Sequence, residues 1–261
     1  MKEALKRNKY LLVSLASALI LLGVWELVAR CIDLAIALPT FSSVFLALIN
    51  LFTKSKFYVS IAFTLLRSLI GFIIGFSFGV ILGIVAGRYK AFNAAMRPIV
   101  STFRSIPVVA ITLVLALWVG SEILPAVIGV MLIFPIIYEQ IKTATENIDP
   151  TLNDVLAELG SGFFTSAKNV YLPLVTPYAL SSISTTFGMN IKAVVSAEVL
   201  AYTLNSIGRE IYFAKANFLE ETPTLFAWVL ITLILSVILE VVLRIIMRKV
   251  VSKLTWFALK K

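Results

Sequence analysis

Residues 61–87 read IAFTLLRSLIGFIIGFSFGVILGIVAG, and this stretch decides what kind of fold the chain adopts. It is long and apolar enough to cross a bilayer as a helix, since about 20 apolar residues span the hydrocarbon core. Five glycines recur at every fourth position and share one helix face: Gly71, Gly75, Gly79, Gly83 and Gly87. General glycine enrichment of membrane helices does not explain an unbroken row. We therefore predict close packing along this face, within the chain or against another subunit.

The composition of the whole chain is that of a membrane protein. Of its 261 residues 60% are hydrophobic, and the mean hydropathy is +0.98, too apolar for a water-soluble protein of this size. The net charge of +9 comes from basic residues at both ends and in short connections, where they orient membrane helices. This distribution excludes a nucleic-acid partner. With no histidine and a single cysteine, Cys31, the chain offers no internal disulfide, no histidine proton relay and no usual zinc site, so we predict no metal and no cofactor.

The hydrophobic pattern predicts an all-α membrane protein, a bundle of six transmembrane helices forming a single domain over residues 1–261. The predicted spans are residues 11–30, 61–87, 98–119, 124–141, 178–204 and 224–246. The first is too long for a cleaved signal peptide and is interpreted as retained. Arg88, Lys90 and Arg97 follow the second span, and basic residues flank both ends of the chain, which places both termini in the cytoplasm.

Two features inside the spans are candidates for a transport pathway. Arg104-Ser105-Ile106-Pro107 interrupts the third span, which Pro98 is predicted to open. A proline at that depth frees a carbonyl that only a neighbour or a water-filled cavity can satisfy, so Arg104 and Pro107 are predicted to line a pathway.

Lys192 and Glu198 lie within the fifth span, where ionisable groups face the bundle interior, a partner or water. Their separation of six residues is not that of helix neighbours, so we expect each to have its own partner. Two interpretations stay open: a role in the pathway, or a structural role satisfied by neighbouring helices or a second copy.

The stretch of residues 149–177, DPTLNDVLAELGSGFFTSAKNVYLPLVTP, interrupts the apolar sequence and predicts a helical hairpin outside the bilayer. Asp149 caps a first helix that Gly160 ends, and a second helix runs from Ser161 until Pro173 stops it. The first helix has an apolar stripe of Leu152, Val155, Leu156 and Leu159, with Asp154 and Glu158 on its other face. Span counting places the hairpin in the cytoplasm; the alternative is a loop that merely covers helix ends.

Signatures of nucleotide hydrolysis and of catalysis are missing from the sequence. It contains no G-x-x-x-x-G-K-[ST] loop, no G-x-S-x-G elbow and no H-E-x-x-H motif. We therefore predict a non-catalytic membrane protein. Physical reasoning alone leaves a transporter half, a channel subunit and a membrane scaffold open.

Residues 154–173 resemble the cytoplasmic EAA loop of ABC-importer permeases. The pattern of that loop is Glu-Ala-Ala, three residues, a glycine, and a hydrophobic-Leu-Pro sequence ending thirteen residues after the glycine, here Gly160 and Tyr171-Leu172-Pro173. The chain departs from it at Asp154-Val155-Leu156, which keeps the acid and enlarges both alanines. From Leu38 to Arg248 the sequence is similar to the nitrate, sulfonate and taurine branch of this family, as at Leu38-Pro39, Ile133-Phe134-Pro135 and Ala197-Glu198.

The resemblance implies a permease of the bacterial-type cytoplasmic membrane, with ATP hydrolysed by a partner. The implied partners are two ATP-binding-cassette subunits, a second permease copy in a homodimer, and an extracytoplasmic substrate-binding protein. The residues that would couple to the ATPase are Leu152, Asp154, Val155, Leu156, Glu158, Leu159, Gly160 and Pro173. The implied substrate is a small anionic or polar organic molecule, such as nitrate, a sulfonate, taurine or a vitamin precursor.

Two other classes of protein share part of this pattern. An ion-coupled secondary transporter is marked by an inverted repeat and midplane carboxylates, and the two halves of this chain show no convincing repeat. A membrane scaffold for a peripheral ATPase would carry the hairpin but would not need the interrupted third span.

Overall fold

The computed structural model describes the backbone of residues 2–259. Side chains are described except for residues 1–12, 14–15, 150, 153–154, 157, 163 and 253–261, so the side chain of Asp154 lies outside the described residues. The backbone so described is helical with no strand. A π-helical turn, Ala167–Tyr171, joins α8 to α9, and the α-helices are α1 Lys2–Ile32, α2 Phe41–Phe52, α3 Ser55–Arg88, α4 Lys90–Ser105, α5 Val108–Leu115, α6 Leu124–Glu146, α7 Pro150–Glu158, α8 Phe163–Ser166, α9 Leu172–Ala201, α10 Ile207–Ala216 and α11 Phe218–Leu259.

Three helices in the described part of the chain are long and apolar enough to cross a membrane: α3, α6 and residues Phe218–Ser252 of α11. The pair α4 and α5 qualifies as a fourth when taken together, although the two helices are bent by 95°. The helix α9 covers the predicted fifth span and has the length, but its serine, threonine, asparagine and lysine side chains lower its hydropathy. Six spans therefore remain a prediction, whereas the all-helical class is confirmed.

Two prolines occupy places that the sequence reasoning did not predict. Pro98 was predicted to open the third span, but it lies inside α4, and this helix already begins at Lys90. Pro173 does not stop the second helix of the hairpin: the π turn passes directly into α9, where proline holds one of the first two positions. The π turn explains why the helix continues through Pro173. The Leu172 N–H donates to Ala167 O, five residues back, so the hydrogen-bond pattern changes just before Pro173. Proline, which has no N–H to donate, is tolerated at that point.

The chain forms two compact units, of which the first comprises Met1–Tyr58 and Glu210–Ile231. Aromatic residues hold this unit together. The Trp25 ring packs edge-on against Phe41 at 5.7 Å between centroids, and its Nε1 donates to Pro39 O at 3.1 Å. Phe57 and Trp228, both almost completely buried, lie 5.5 Å apart. These contacts join α1 to the start of α2, and the first turn of α3 to α11.

The second unit comprises Val59–Arg209 and Thr232–Lys261, and its core is α6. All five glycines of the α3 row face α6 of the same chain. A Cβ placed on Gly71 would lie 2.5 Å from Ala126 O, and one on Gly79 would lie 2.7 Å from Ile137 Cβ. Contacts with α6 advance by one turn for each glycine in the row, so the two helices run parallel, and the second half of α3 lies against α6 from Ala126 to Thr145.

The helix α9 also packs against α6, and it runs in the opposite direction. Near its end, Ala197 packs with Leu124, and near its start Ser182 lines the same cavity as Thr143 of α6. The buried Asn190 side chain reaches α3, where its Nδ2 donates to Ser68 O at 2.7 Å. The hairpin at residues 149–171 therefore lies at one end of this unit, and the connections around residues 120–122 and 202–206 lie at the other.

Candidate functional site

The hairpin is fixed locally at both ends of its first helix. Asp149 Oδ1 accepts hydrogen bonds from Thr151 Oγ1 at 2.7 Å and from Thr151 N at 2.9 Å, and these bonds hold the pKa of Asp149 below its usual value. Gly160 has φ of +60°, a left-handed conformation that glycine adopts without strain. Ser161 N then donates to Leu156 O at 3.1 Å and closes the helix end. Both caps stabilise α7 independently of any partner.

The hairpin presents an apolar surface, which we call the docking face: Val155, Leu159 and Phe164, which are 50%, 71% and 87% exposed. Leu152 and Leu156 are half-buried, and Glu158 is exposed. Because these exposed hydrophobic side chains lie on a short polar hairpin, the docking face is a candidate interaction surface. Phe164 was not among the predicted coupling residues, although its place in the helical spacing of the second hairpin helix was visible in the sequence.

The hairpin is connected to the helical core without a flexible linker. Because α8, the π turn and α9 follow one another without a break, the second half of the hairpin and α9 are one continuous helical path. Only Asn147, Ile148 and Asp149 separate α6 from α7. The hairpin is therefore joined directly to α6 on one side and to α9 on the other.

The break between α4 and α5 lines a cavity of 190 Å³. Arg104 and Ile106 approach it from the break, and Met131 and Pro135 approach it from α6. Pro107, with φ of −61°, directly precedes α5. Arg104 is the one charged residue among those that line this otherwise largely apolar cavity.

Glu198 is completely buried at the end of α9 opposite the hairpin, where three groups bind its carboxylate. Thr64 Oγ1 donates to Oε2 at 2.9 Å, Gly208 N donates to Oε2 at 3.3 Å, and Arg67 Nη1 donates to Oε1 at 3.4 Å. Gly208 permits this approach, since a Cβ there would lie 2.5 Å from Val199 N.

Arg67 of α3 is the centre of this cluster, and the sequence reasoning missed it. Its guanidinium is buried, forms a second ion pair with Glu122, and donates to Leu204 O at 3.0 Å and Asn205 O at 3.4 Å. A lone arginine inside the apolar glycine-rich helix was the available signal. Arg67 thus holds α3, α9 and the connections at this end of the unit together.

Lys192 lies on a different face of α9 from Glu198 and is exposed. It forms no ion pair with any residue that the structure describes. The structure therefore separates the two charges of the predicted fifth span, one in a buried network and one on the surface. Across the described residues, no group of acidic, cysteine or histidine side chains is arranged to hold a metal ion.

Three solved structures of transporters share this fold. A bacterial ABC transporter involved in the import of the acidic polysaccharide alginate aligns with a TM-score of 0.64 at 16% identity, covering 93% of this chain and 96% of that chain. The same kind of transporter in complex with alginate pentasaccharide-bound periplasmic protein gives 0.63 at 16% identity, covering 94% and 96%. The inward-facing MetNI methionine ABC transporter gives 0.54 at 18% identity, covering 76% and 93%. At these identities the alignments show a shared fold.

The sequence comparisons assign the family. Residues 79–252 match the binding-protein-dependent transport system inner membrane component family. A search of curated proteins gave no match. The matched segment is two thirds of the chain and contains the α4–α5 break, the hairpin and Glu198. The chain therefore belongs to the binding-protein-dependent transport system inner membrane components, the transmembrane permeases of ABC importers.

Proposed function

We propose that this permease couples ATP hydrolysis by two separate ATPase subunits to import, and that the docking face of the hairpin is where they bind. The observation that carries the proposal is the exposure of Val155, Leu159 and Phe164 on a capped hairpin joined to α9 without a linker. Half-buried Leu152 and Leu156 face the permease itself in this arrangement. Asp154 and Glu158 contribute charged contacts at the edge, each worth about 0–1 kcal/mol at an exposed site.

Movement passes from the ATPase to the membrane helices through rigid parts. When ATP closes the two ATPase subunits, each carries its docked hairpin with it, and the hairpin moves α6 and α9. Because the α3 glycines leave no space against α6, α3 follows α6. The departure from the Glu-Ala-Ala pattern fits this role, since the larger Val155 side chain adds apolar area to the docking face.

The transport route in this proposal forms between two copies of the chain in a six-span arrangement with both termini cytoplasmic. The parallel course of α3 and α6 and the opposite direction of α9 support that topology. An unpaired lysine facing lipid is costly, so the exposed Lys192 favours a position on the route, together with Arg104 at the cavity and Pro107, which directly precedes α5. Glu198, by contrast, has a structural role in the Arg67 cluster.

The substrate in this proposal is a small anionic or polar organic molecule, delivered by an extracytoplasmic binding protein. The two cationic side chains placed on the route and the resemblance to the nitrate, sulfonate and taurine branch support this class. Screening the cognate binding protein against anions, sulfonates and vitamin precursors tests the substrate separately from the coupling mechanism.

Replacing Leu159 with aspartate tests the docking face. An aspartate there places a charge in the proposed apolar interface, so we expect co-purification of the ATPase subunits to be lost while the permease stays folded in the membrane. The matched control is Leu219→Asp, because Leu219 is 70% exposed and lies outside the hairpin. Equal ATPase recovery with Leu159→Asp and with Leu219→Asp would contradict the assignment.

A further inference from the structure

We infer that the second unit contains a binding site for an anionic phospholipid headgroup, in a groove of 480 Å³ between the start of α9 and the last turns of α11. The α9 wall presents hydroxyl groups, and the α11 wall presents guanidinium groups. The lining residues are Ser181, Ser184, Thr185, Arg244, Met247, Arg248, Val251 and Ser252. We call this the basic groove.

The basic groove is formed by one face of α9 and one face of α11. Ser181, Ser184 and Thr185 stand three and four residues apart, and so do Arg244, Met247 and Arg248. Each set therefore shares one face of its helix, and the two faces meet across the groove. Ser184 is buried at its base, whereas both arginines are exposed at its edge.

The charge in the basic groove matches a phosphodiester. Arg244 is paired with Glu240 of its own helix, whereas Arg248 forms no ion pair with any described residue. One uncompensated positive charge therefore remains, and a phosphodiester carries one negative charge. Guanidinium groups bind phosphate oxygens in a bidentate geometry. A zwitterionic headgroup would bring an additional cation against the arginines and is disfavoured.

The surroundings of the basic groove favour a lipid over free phosphate. Apolar side chains of α11 are exposed near Arg244. Val241 lies three residues before it and is 46% exposed, and Ile245 directly follows it and is 52% exposed. Ile246 and Val250, farther along the helix, are also exposed. Acyl chains would cover these side chains while the headgroup phosphate meets the arginines. On the proposed topology this end of α11 lies at the cytoplasmic leaflet, where basic pockets between membrane helices recognise anionic headgroups.

The test uses the purified full chain with phosphatidylglycerol or phosphatidylcholine in mixed micelles. We expect phosphatidylglycerol to bind, by native mass spectrometry, and to raise the unfolding temperature more than phosphatidylcholine does. Arg248→Gln should weaken phosphatidylglycerol binding by about five-fold, the loss expected for one basic side chain near an anionic lipid surface. Arg248→Lys, which keeps the charge, should retain most of the binding. Arg97→Gln is the matched control, because Arg97 is an exposed arginine outside the groove.

Two results would overturn the inference. In the first, Arg248→Gln binds phosphatidylglycerol as Arg97→Gln does while unfolding normally in phosphatidylcholine. In the second, inorganic phosphate alone reproduces the Arg248-dependent stabilisation and phosphatidylglycerol adds nothing, which would make the groove a site for free anions. Both measurements use the permease without its ATPase, so their failure leaves the proposed coupling function untouched.

Discussion

Arg67 is the residue on which the end of the second unit opposite the hairpin depends. It satisfies the buried Glu198 carboxylate and two backbone carbonyls of the connection after α9. In that connection Tyr202 and Asn205 have positive φ values of 54° and 46°, a conformation unfavourable for residues other than glycine. The hydrogen bonds of Arg67 therefore stabilise the unfavourable backbone conformation of this connection.

Replacing Arg67 with methionine should destabilise the protein by about 3–5 kcal/mol, because it leaves a buried carboxylate without its counter-charge. The double variant Arg67→Met/Glu198→Gln should recover part of this loss, since the two residues act as a pair. Unfolding midpoints in one detergent measure both effects, with Lys90→Met as an exposed control. A single variant as stable as the control would show that the cluster contributes nothing.

At this scale the sequence allowed only part of the site to be predicted. For Glu198 the sequence predicted a binding partner, because an unpaired carboxylate inside a membrane helix is energetically unfavourable. The partner itself could not be found, because Arg67 is 131 residues away and only the fold joins them. The exposure of Val155 and Leu159 could not be predicted either, because an amphipathic pattern does not show which neighbouring element covers its apolar face.

Among the elements, α3 and α6 approach each other closely at the glycine row. Gly79→Ala should destabilise the protein by about 1–3 kcal/mol, because the new methyl group would lie 2.7 Å from Ile137 Cβ and 2.8 Å from its Cγ2. Gly23→Ala is the matched control, since a Cβ at Gly23 in α1 meets nothing within 4 Å. Identical unfolding midpoints for the two variants would show that the glycine row is not a packing surface.

The cap of α7 should make the hairpin sensitive to acid. The pKa of Asp149 is lower in the folded hairpin than in the unfolded chain, because Thr151 donates two hydrogen bonds to the carboxylate. The cap therefore stabilises α7 above the unfolded pKa, and this contribution is lost as pH falls through the folded pKa. Hydrogen-exchange protection of α7, corrected for intrinsic rates, should drop on acidification in the wild type and stay constant in Asp149→Asn. The same drop in both variants would exclude the cap as its cause.

Element boundaries show where pattern reasoning succeeds and where it fails. The break at Ile106-Pro107 follows from proline chemistry alone, and the structure bends there by 95°. Pro173 misled the same reasoning because the π turn before it changes the hydrogen-bond pattern in advance, and nothing in AKNVY reveals a π turn. The glycine row predicted close packing, but its partner helix could not be read from periodicity.

For the whole molecule, the family and the fold identify an importer permease, and the proposal adds how it is driven. The hairpin, α6 and α9 form a connected path from the docking face toward the Arg67 cluster at the far end. A secondary transporter built on this chain would not need the docking face, and a scaffold would not need the cavity at the α4–α5 break. The energy source for uptake, and the dependence of uptake on the hairpin, therefore distinguish an importer permease from a secondary transporter and from a scaffold.

Coupling through the hairpin is tested most directly by measuring uptake of the binding protein's ligand into vesicles that contain this permease and its ATPase. The account predicts uptake that requires ATP and the ATPase subunit, persists when ion gradients are collapsed, and is lost with Leu159→Asp but kept with Leu219→Asp. Uptake driven by an ion gradient in vesicles without the ATPase, or ATP-driven uptake unaffected by Leu159→Asp, would contradict it.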